Sequence, residues 1–250
     1  FRPHLDGLDD ALLAEIRALR HVPALVPALP PLPGLRASNN VAVAGRFSAS
    51  GAALYASDPH LEVNRLPAIW YEVVGELPDG DFRTGVTVPG VPGLVMGRTC
   101  AIAGGFTYGF ADTIDFVIEE VKGHRVRRGE EWVPLAERRE LVRRKKGEPV
   151  ALALFESDAG VLETPDGTTR LEDGLWLARA WTCRREGGAA SLEAMLDLWA
   201  APDVERAAEA ASRVALTANW LFSGRDGRIA AQQSGLLPRR RGETGLLPLR

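Results

Sequence analysis

Ser38-Asn39-Asn40 is followed, after a short apolar and glycine-punctuated stretch, by Asp58-Pro59-His60. A serine hydroxyl is a weak nucleophile until something takes its proton. If the peptide bond before Ser38 were cut, the residue's own α-amino group, with a pKa of about 8, would be well matched to neutral water as a base. Such a serine needs no distant histidine to attack a carbonyl and hold the acyl group as an ester. His60 adds an imidazole that donates with one nitrogen and accepts with the other, which suits it to orient a free amine or a bridging water. The plainer reading of each residue is structural: a hydroxyl closing a turn before a strand, and a half-buried histidine shaping the turn after Asp58-Pro59.

The elements around these residues are mostly strands. Val41 to Ala44 and Ala53 to Ala56, separated by the turn signal Ser50-Gly51, read as a hairpin with Ser38 at its opening. Further strands are expected at 70–74, 85–88, 94–96, 99–103 and 115–120, and Pro89-Gly90-Val91-Pro92-Gly93 as a tight shaped loop. The Gly-rich run Gly104-Gly105-Phe106-Thr107-Tyr108-Gly109 reads as a β-turn, since the glycine-lysine-serine or threonine ending of a phosphate loop is missing. Leu8, Leu12, Ile16 and Leu19 form the stripe of a helix over 8–19. Two amphipathic helices are expected later, with Ser191 and Pro202 as their start signals and Leu192, Leu196 and Trp199 in the core. Between helix and hairpin, the repeated prolines of 23–37 favour an extended connector.

Composition narrows the classes. With 250 residues, 46% hydrophobic and 25% charged, the chain has enough apolar content for a substantial core. A net charge of -3 gives no global attraction for nucleic acid, and no apolar run approaches the ~20 residues of a membrane-spanning helix. The basic run Arg138 to Lys146 is interrupted by Glu140 and lacks interleaved aromatics, so it reads as a solvated strand or hairpin face. Cys100 and Cys183 stand far apart, outside any metal-ligand spacing, with a single bridge between them left open. A serine hydrolase of the elbow type is disfavoured, because no Gly-x-Ser-x-Gly is present. Phe1 and Arg250 look like cuts through a longer polypeptide, so the absence of a signal peptide carries no information on compartment.

Four segments together resemble the penicillin acylase family of N-terminal nucleophile hydrolases: Ser38-Asn39-Asn40-Val41-Ala42-Val43, Ser57-Asp58-Pro59-His60-Leu61, Pro67-Ala68-Ile69-Trp70-Tyr71-Glu72, and Pro89 through Gly97. The match is dense from Ser38 to about Val121, and Gly224-Arg225-Asp226-Gly227-Arg228-Ile229 resembles a later family segment. The resemblance implies an α+β fold, the αββα sandwich of antiparallel sheets, present as a fragment. Residues 1–22 would be the end of an α-chain-like helical segment, 23–37 a spacer, and 38–250 the first part of a β-chain-like catalytic domain.

The same resemblance implies roles. Ser38 would be the nucleophile freed by self-cleavage after Ala37, His60 the residue that orients its amine, and the Tyr108 backbone N–H an oxyanion donor, with a second donor beyond Arg250. Asp112, Ile114 and Asp115 are similar to a calcium-binding segment that uses two carboxylates and a carbonyl. No organic cofactor is implied. The implied activity is an autoprocessing serine amidohydrolase acting on a small-molecule acyl amide such as a penicillin, a cephalosporin or an acyl-homoserine lactone, with processed α- and β-chains associated and the protein periplasmic or secreted. The fragment alone is expected to be inactive, its active site being incomplete. The competing reading is an unprocessed, non-catalytic fold relative that serves as a binding or scaffold protein.

Overall fold

The protein is described by a computed structural model covering residues 10–22, 38–61, 69–78, 80–165, 168–184, 187–240 and 248–249. The expected connector 23–37 and the first turn of the helix over 8–19 lie outside the described residues. In chain order the elements are α1 (Asp10–Ala18), β1 (Ser38–Val43), β2 (Leu54–Pro59), β3 (Tyr71–Glu76), β4 (Phe82–Thr87), β5 (Met96–Arg98), β6 (Ile102–Tyr108), β7 (Ile114–Lys122), β8 (Arg125–Arg128), β9 (Glu131–Pro134), β10 (Ala136–Val142), β11 (Val150–Glu156), β12 (Val161–Leu162), β13 (Gly174–Trp181), α2 (Gly187–Leu198), α3 (Val204–Ser212), β14 (Ala218–Gly224) and β15 (Ile229–Ser234). Among these helices none is long and apolar enough to cross a membrane. The elements fall into two compact units that interleave along the chain, 1–32 with 114–181 and 238–250, and 33–113 with 182–237. This partition by contacts is of a different kind from the expected segments at 22 and 37, which concern chain cleavage.

The unit containing Ser38 is built on a six-stranded antiparallel sheet of order β15-β14-β6-β5-β4-β3, with β1 and β2 as a separate antiparallel pair. Alternation along β14 sends Ala218, Trp220 and Phe222 into one core with Leu198, Trp199, Val204, Ala207 and Ala211. α3 buries small residues there, which lets it lie close to the sheet, and Asp203 caps it by accepting from the Arg206 N–H at 2.8 Å. α2 starts at Gly187, a turn earlier than Ser191. Ser191 lies inside the helix because its hydroxyl bonds back to the Gly187 carbonyl and also accepts from the Ala215 N–H at 2.9 Å, tying the helix to the segment before β14. The expected core positions divide: Trp199 is buried, whereas Leu192 and Leu196 are exposed.

Gly104-Gly105 does not form a turn; both residues lie inside β6. The reason is close approach on both faces. A Cβ at Gly104 would meet the Phe222 ring, and one at Gly105 would come within 2.5 Å of Met96 Cβ and 2.6 Å of Tyr55 Oη. Tyr55 belongs to the inner face of the hairpin. The β1–β2 register pairs Ser38 with Pro59, Asn40 with Ser57 and Ala42 with Tyr55, so these six side chains share one face, and all six are half-buried. Ser57 Oγ donates to Asn40 Oδ1 at 2.7 Å and lies 3.3 Å from Met96 Sδ. At its turn end the hairpin is held by Gly45, whose N–H donates to the Gly227 carbonyl at 2.8 Å in the β14–β15 turn. The segment 224–229 is therefore that turn, with Gly227 at φ 86°. Cys183 is buried and donates to the Ala215 carbonyl, Cys100 is exposed, and both are free thiols, so the bridge left open by the sequence is not made.

The other unit is a seven-stranded antiparallel sheet of order β10-β11-β12-β13-β7-β8-β9 around Val121, Val126, Phe155, Leu162, Trp176 and Ala178. Its polar centre is Glu119, 2% exposed. Both carboxylate oxygens accept from Arg128, at 2.6 and 2.7 Å, and Ser157 Oγ adds a third bond at 2.6 Å. Arg128 also pairs with Asp158, so the ion network joins β7 and β8 to the turn after β11. Hydrogen bonds to these two acids hold the Arg128 guanidinium still further toward its charged form, and Arg128 in turn holds the Asp158 carboxyl below its usual range. β10 at the sheet edge is exposed along its whole length and carries Glu137, Arg138, Arg139 and Glu140, as the solvated-hairpin reading expects.

These contacts set the expected cost of substitution. A Cβ at Gly105 would press on Met96 and Tyr55, so Gly105→Ala should cost about 1–3 kcal/mol by overpacking, read from urea unfolding. Glu119→Gln should cost about 2 kcal/mol, because Arg128 keeps Asp158 but loses its buried partner. A depressed Asp158 pKa contributes stability above the ordinary carboxylate value of about 4 that is lost as pH falls through the folded value. The acid limb of the stability curve should therefore be shallower in Arg128→Leu.

Candidate active site

Ser38 opens β1 opposite Pro59, the last residue of β2. After Pro59 the chain turns, with the Leu61 N–H donating to the Pro59 carbonyl at 3.0 Å, and this brings the His60 N–H to Ser38 Oγ at a long 3.4 Å. His60 thus meets the serine through its backbone. Its ring is engaged elsewhere: Nε2 lies 2.9 Å from Asp58 Oδ2, the two residues standing two apart on the solvent side of the strand end. The imidazole expected beside the serine amine is here the partner of Asp58.

Ser38 lies on the wall of a cavity of about 260 Å³, with Thr217 and Tyr108 the other hydroxyl-bearing residues of a described lining that is otherwise apolar and aromatic. Phe106 and Trp220 form its aromatic side, their centroids 4.6 Å apart, with Met195 and Val214 also on the wall. Trp220 presents only its apolar face there, since its Nε1–H is spent on Ser234 Oγ at 3.0 Å. Trp70, Leu61 and Val91 belong to the same lining. The quoted motifs carry Leu61, Trp70, Val91 and Phe106 of this wall; Trp220, Met195 and Val214 were not singled out, and the signal for Trp220 was an apolar residue at every second position from Ala218 to Phe222.

Tyr108 ends β6 and lines the same cavity, its side chain over half exposed. It pairs with Ala218, and the next residue, Gly109, donates its N–H to the Thr217 carbonyl at 3.1 Å. Because hydrogen-bonded and non-hydrogen-bonded pairs alternate in an antiparallel ladder, the Tyr108 N–H is directed away from β14. The ladder with β5 reaches only Ala103 and Gly104, so it does not take up that group. Asn219 contacts this peptide: its Nδ2 donates to the Tyr108 carbonyl at 3.3 Å and lies 3.5 Å from Thr107 Oγ1.

The calcium segment has a different character from the one expected. Asp115 is buried, and its carboxylate accepts from Arg240 Nε and Nη2 at 3.0–3.1 Å. Its charge is already neutralised by a bidentate guanidinium, so Asp115 as held here does not suit a calcium ligand. Ile114 starts β7 and Asp112 precedes it. Among the described residues no group of three or more His, Cys, Asp or Glu side chains is arranged to hold a metal ion.

A strand-opening serine beside an apolar cavity, on stacked elements of antiparallel sheet and helix, is the arrangement of the N-terminal nucleophile hydrolase fold. The structure superimposes on the thermostable penicillin G acylase from Alcaligenes faecalis with a TM-score of 0.68 at 19% identity, covering 82% of this chain and 36% of that one. The penicillin amidase family model matches residues 4–250, and the chain belongs to that family. Among curated relatives, the acyl-homoserine lactone acylase QuiP of Pseudomonas aeruginosa is 30% identical over 98% of this chain and 29% of its own length. Penicillin G acylase of Escherichia coli is 29% identical over 87% of this chain and 26% of its own length. The chain therefore spans under a third of the curated relatives it matches.

The cavity wall gives a direct test. Trp220→Ala should cost about 4 kcal/mol, since a fully buried ring is lost, whereas Tyr108→Ala at the exposed strand end should cost less than about 1 kcal/mol; urea unfolding compares them.

Proposed function

We propose that this chain carries the nucleophile of an N-terminal serine acylase. Cleavage of the bond before Ser38 frees an α-amine that takes the hydroxyl proton. Oγ then bonds to the amide carbon of a small-molecule substrate, the carbon–nitrogen bond breaks, and the amine leaves with the proton. Water next attacks the ester, giving a carboxylic acid and restoring the serine. The Tyr108 N–H is assigned one oxyanion position, where a preorganised donor of this kind contributes about 3 kcal/mol of transition-state stabilisation. Asn219 steadies the adjoining peptide. His60 is free to turn from Asp58 toward the new amine once the chain is cut.

The observation that carries this reading is Ser38 on the wall of an apolar cavity, in a family whose relatives are named as acylases. A cavity of about 260 Å³ lies at the small end of ligand sites, about 300–1,000 Å³, and favours a short acyl chain or a single ring. The substrate class proposed is accordingly an acyl amide of the acyl-homoserine lactone or penicillin kind.

Intact mass and N-terminal sequencing of the native-length gene product should reveal a chain beginning Ser38-Asn39-Asn40 that disappears in Ser38→Ala. Amine release should be faster from short-acyl or aryl-acetyl amides than from long-acyl ones, by about tenfold or more. A soluble, folded, uncut chain would replace this reading with that of a non-catalytic relative.

A further inference from the structure

A second cavity, of about 610 Å³, lies in the same unit on the inner face of the β3–β4 pair. Register places Tyr71 opposite Thr87, Val73 opposite Gly85 and Gly75 opposite Arg83, so the two glycines leave room between the side chains of this face. Leu196 and Trp199, at the end of α2, form another wall, and the loop from Pro89 to Leu94 closes it. Most polar groups there are already used. Trp199 Nε1–H donates to the Leu94 carbonyl at 2.6 Å, and Thr87 Oγ1 donates to the Val91 carbonyl at 3.1 Å.

Arg83 is the exception. It lines the cavity, and among the described residues its buried Nε has no acceptor and no carboxylate forms an ion pair with it. Asp81 feels its charge but spends Oδ1 on the N–H groups of Phe82 and Cys100. A desolvated donor on a planar cation is matched by a carboxylate, which accepts two parallel bonds. The rest of the wall, Tyr71, Val73, Val91, Leu196 and Trp199, is matched by an apolar body. We propose that this cavity is a second binding site, for an amphipathic carboxylate whose head group pairs with Arg83.

Val91 belongs to both cavities, so the loop is a shared partition. It is braced by the Val91 N–H to the Val88 carbonyl at 3.0 Å and the Val95 N–H to the Val86 carbonyl at 2.8 Å, with Gly90 and Gly93 at φ 91° and 84°. An occupant pressing on Val91 from one side alters the space on the other. If the activity proposed above holds, the acid released by amide hydrolysis has the chemistry this site selects, and the site would report product to the acyl cavity; binding itself does not depend on that reading.

The test uses the native-length Ser38→Ala protein, which binds without turnover, and octanoate as probe, with 1-octanol as the neutral control, both by titration calorimetry. Octanoate should fill two sites. Arg83→Gln should weaken one at least tenfold while leaving 1-octanol binding unchanged, and Leu216→Trp, on the wall of the acyl cavity, should weaken only the other. Val73→Trp fills the second cavity without touching the charge and should abolish the same site as Arg83→Gln, which guards against a folding defect in either variant. Octanoate binding that is indifferent to both Arg83→Gln and Val73→Trp, whatever the number of sites, would overturn the proposal. Loss of catalysis in the wild type with both sites intact would instead count against the acylase reading alone.

Discussion

The seat of the β1–β2 hairpin on β6 depends on one missing atom. Gly105 has no Cβ, and into that gap come Tyr55 from the hairpin and Met96 from β5. Two strands paired only with each other are marginal in water, so β1 and β2 hold their geometry by packing on something larger. The contact with β6 supplies this near the middle of the hairpin, and the Gly45–Gly227 bond supplies it at the turn. Ser38 is then fixed at the free end of a ribbon clamped at two other points, and the cavity wall built from Phe106 and Trp220 is reached from the same sheet.

The strands nearest the serine were legible because period and punctuation agree there. Val41 to Ala44 and Ala53 to Ala56 are short strand-capable runs on either side of a Ser-Gly turn, and the structure extends the pairing outward to Ser38 and Pro59. The loop 89–93 was equally plain from its prolines and glycines. Gly104-Gly105 misled, since local propensity reads two adjacent glycines as a turn, whereas the packing partners that demand them, Phe222 on one face and Tyr55 on the other, are distant in sequence. Ser191 misled in a similar way: a serine before an apolar run resembles a cap, but its bond to Ala215 is tertiary.

At the site, residue identity was readable and orientation was not. The family motif singles out Ser38 and His60, yet which part of His60 faces the serine is decided by the turn after Pro59 and by the nearness of Asp58. The same holds for Asp115, an acid in a segment that resembles a calcium site, whose partner Arg240 lies far along the chain. Pairing of distant charges is the information a single sequence carries least directly, and Asp115 and Arg240 are 125 positions apart.

The placement of the ladder has a mechanical consequence. The first rung of β1 is Ser38 with Pro59, and every described contact that ties the strand down, through Asn40, Ala42, Tyr55 and Gly45, lies downstream of it. A break in the chain before Ser38 would therefore remove none of the described contacts that set the register of this strand.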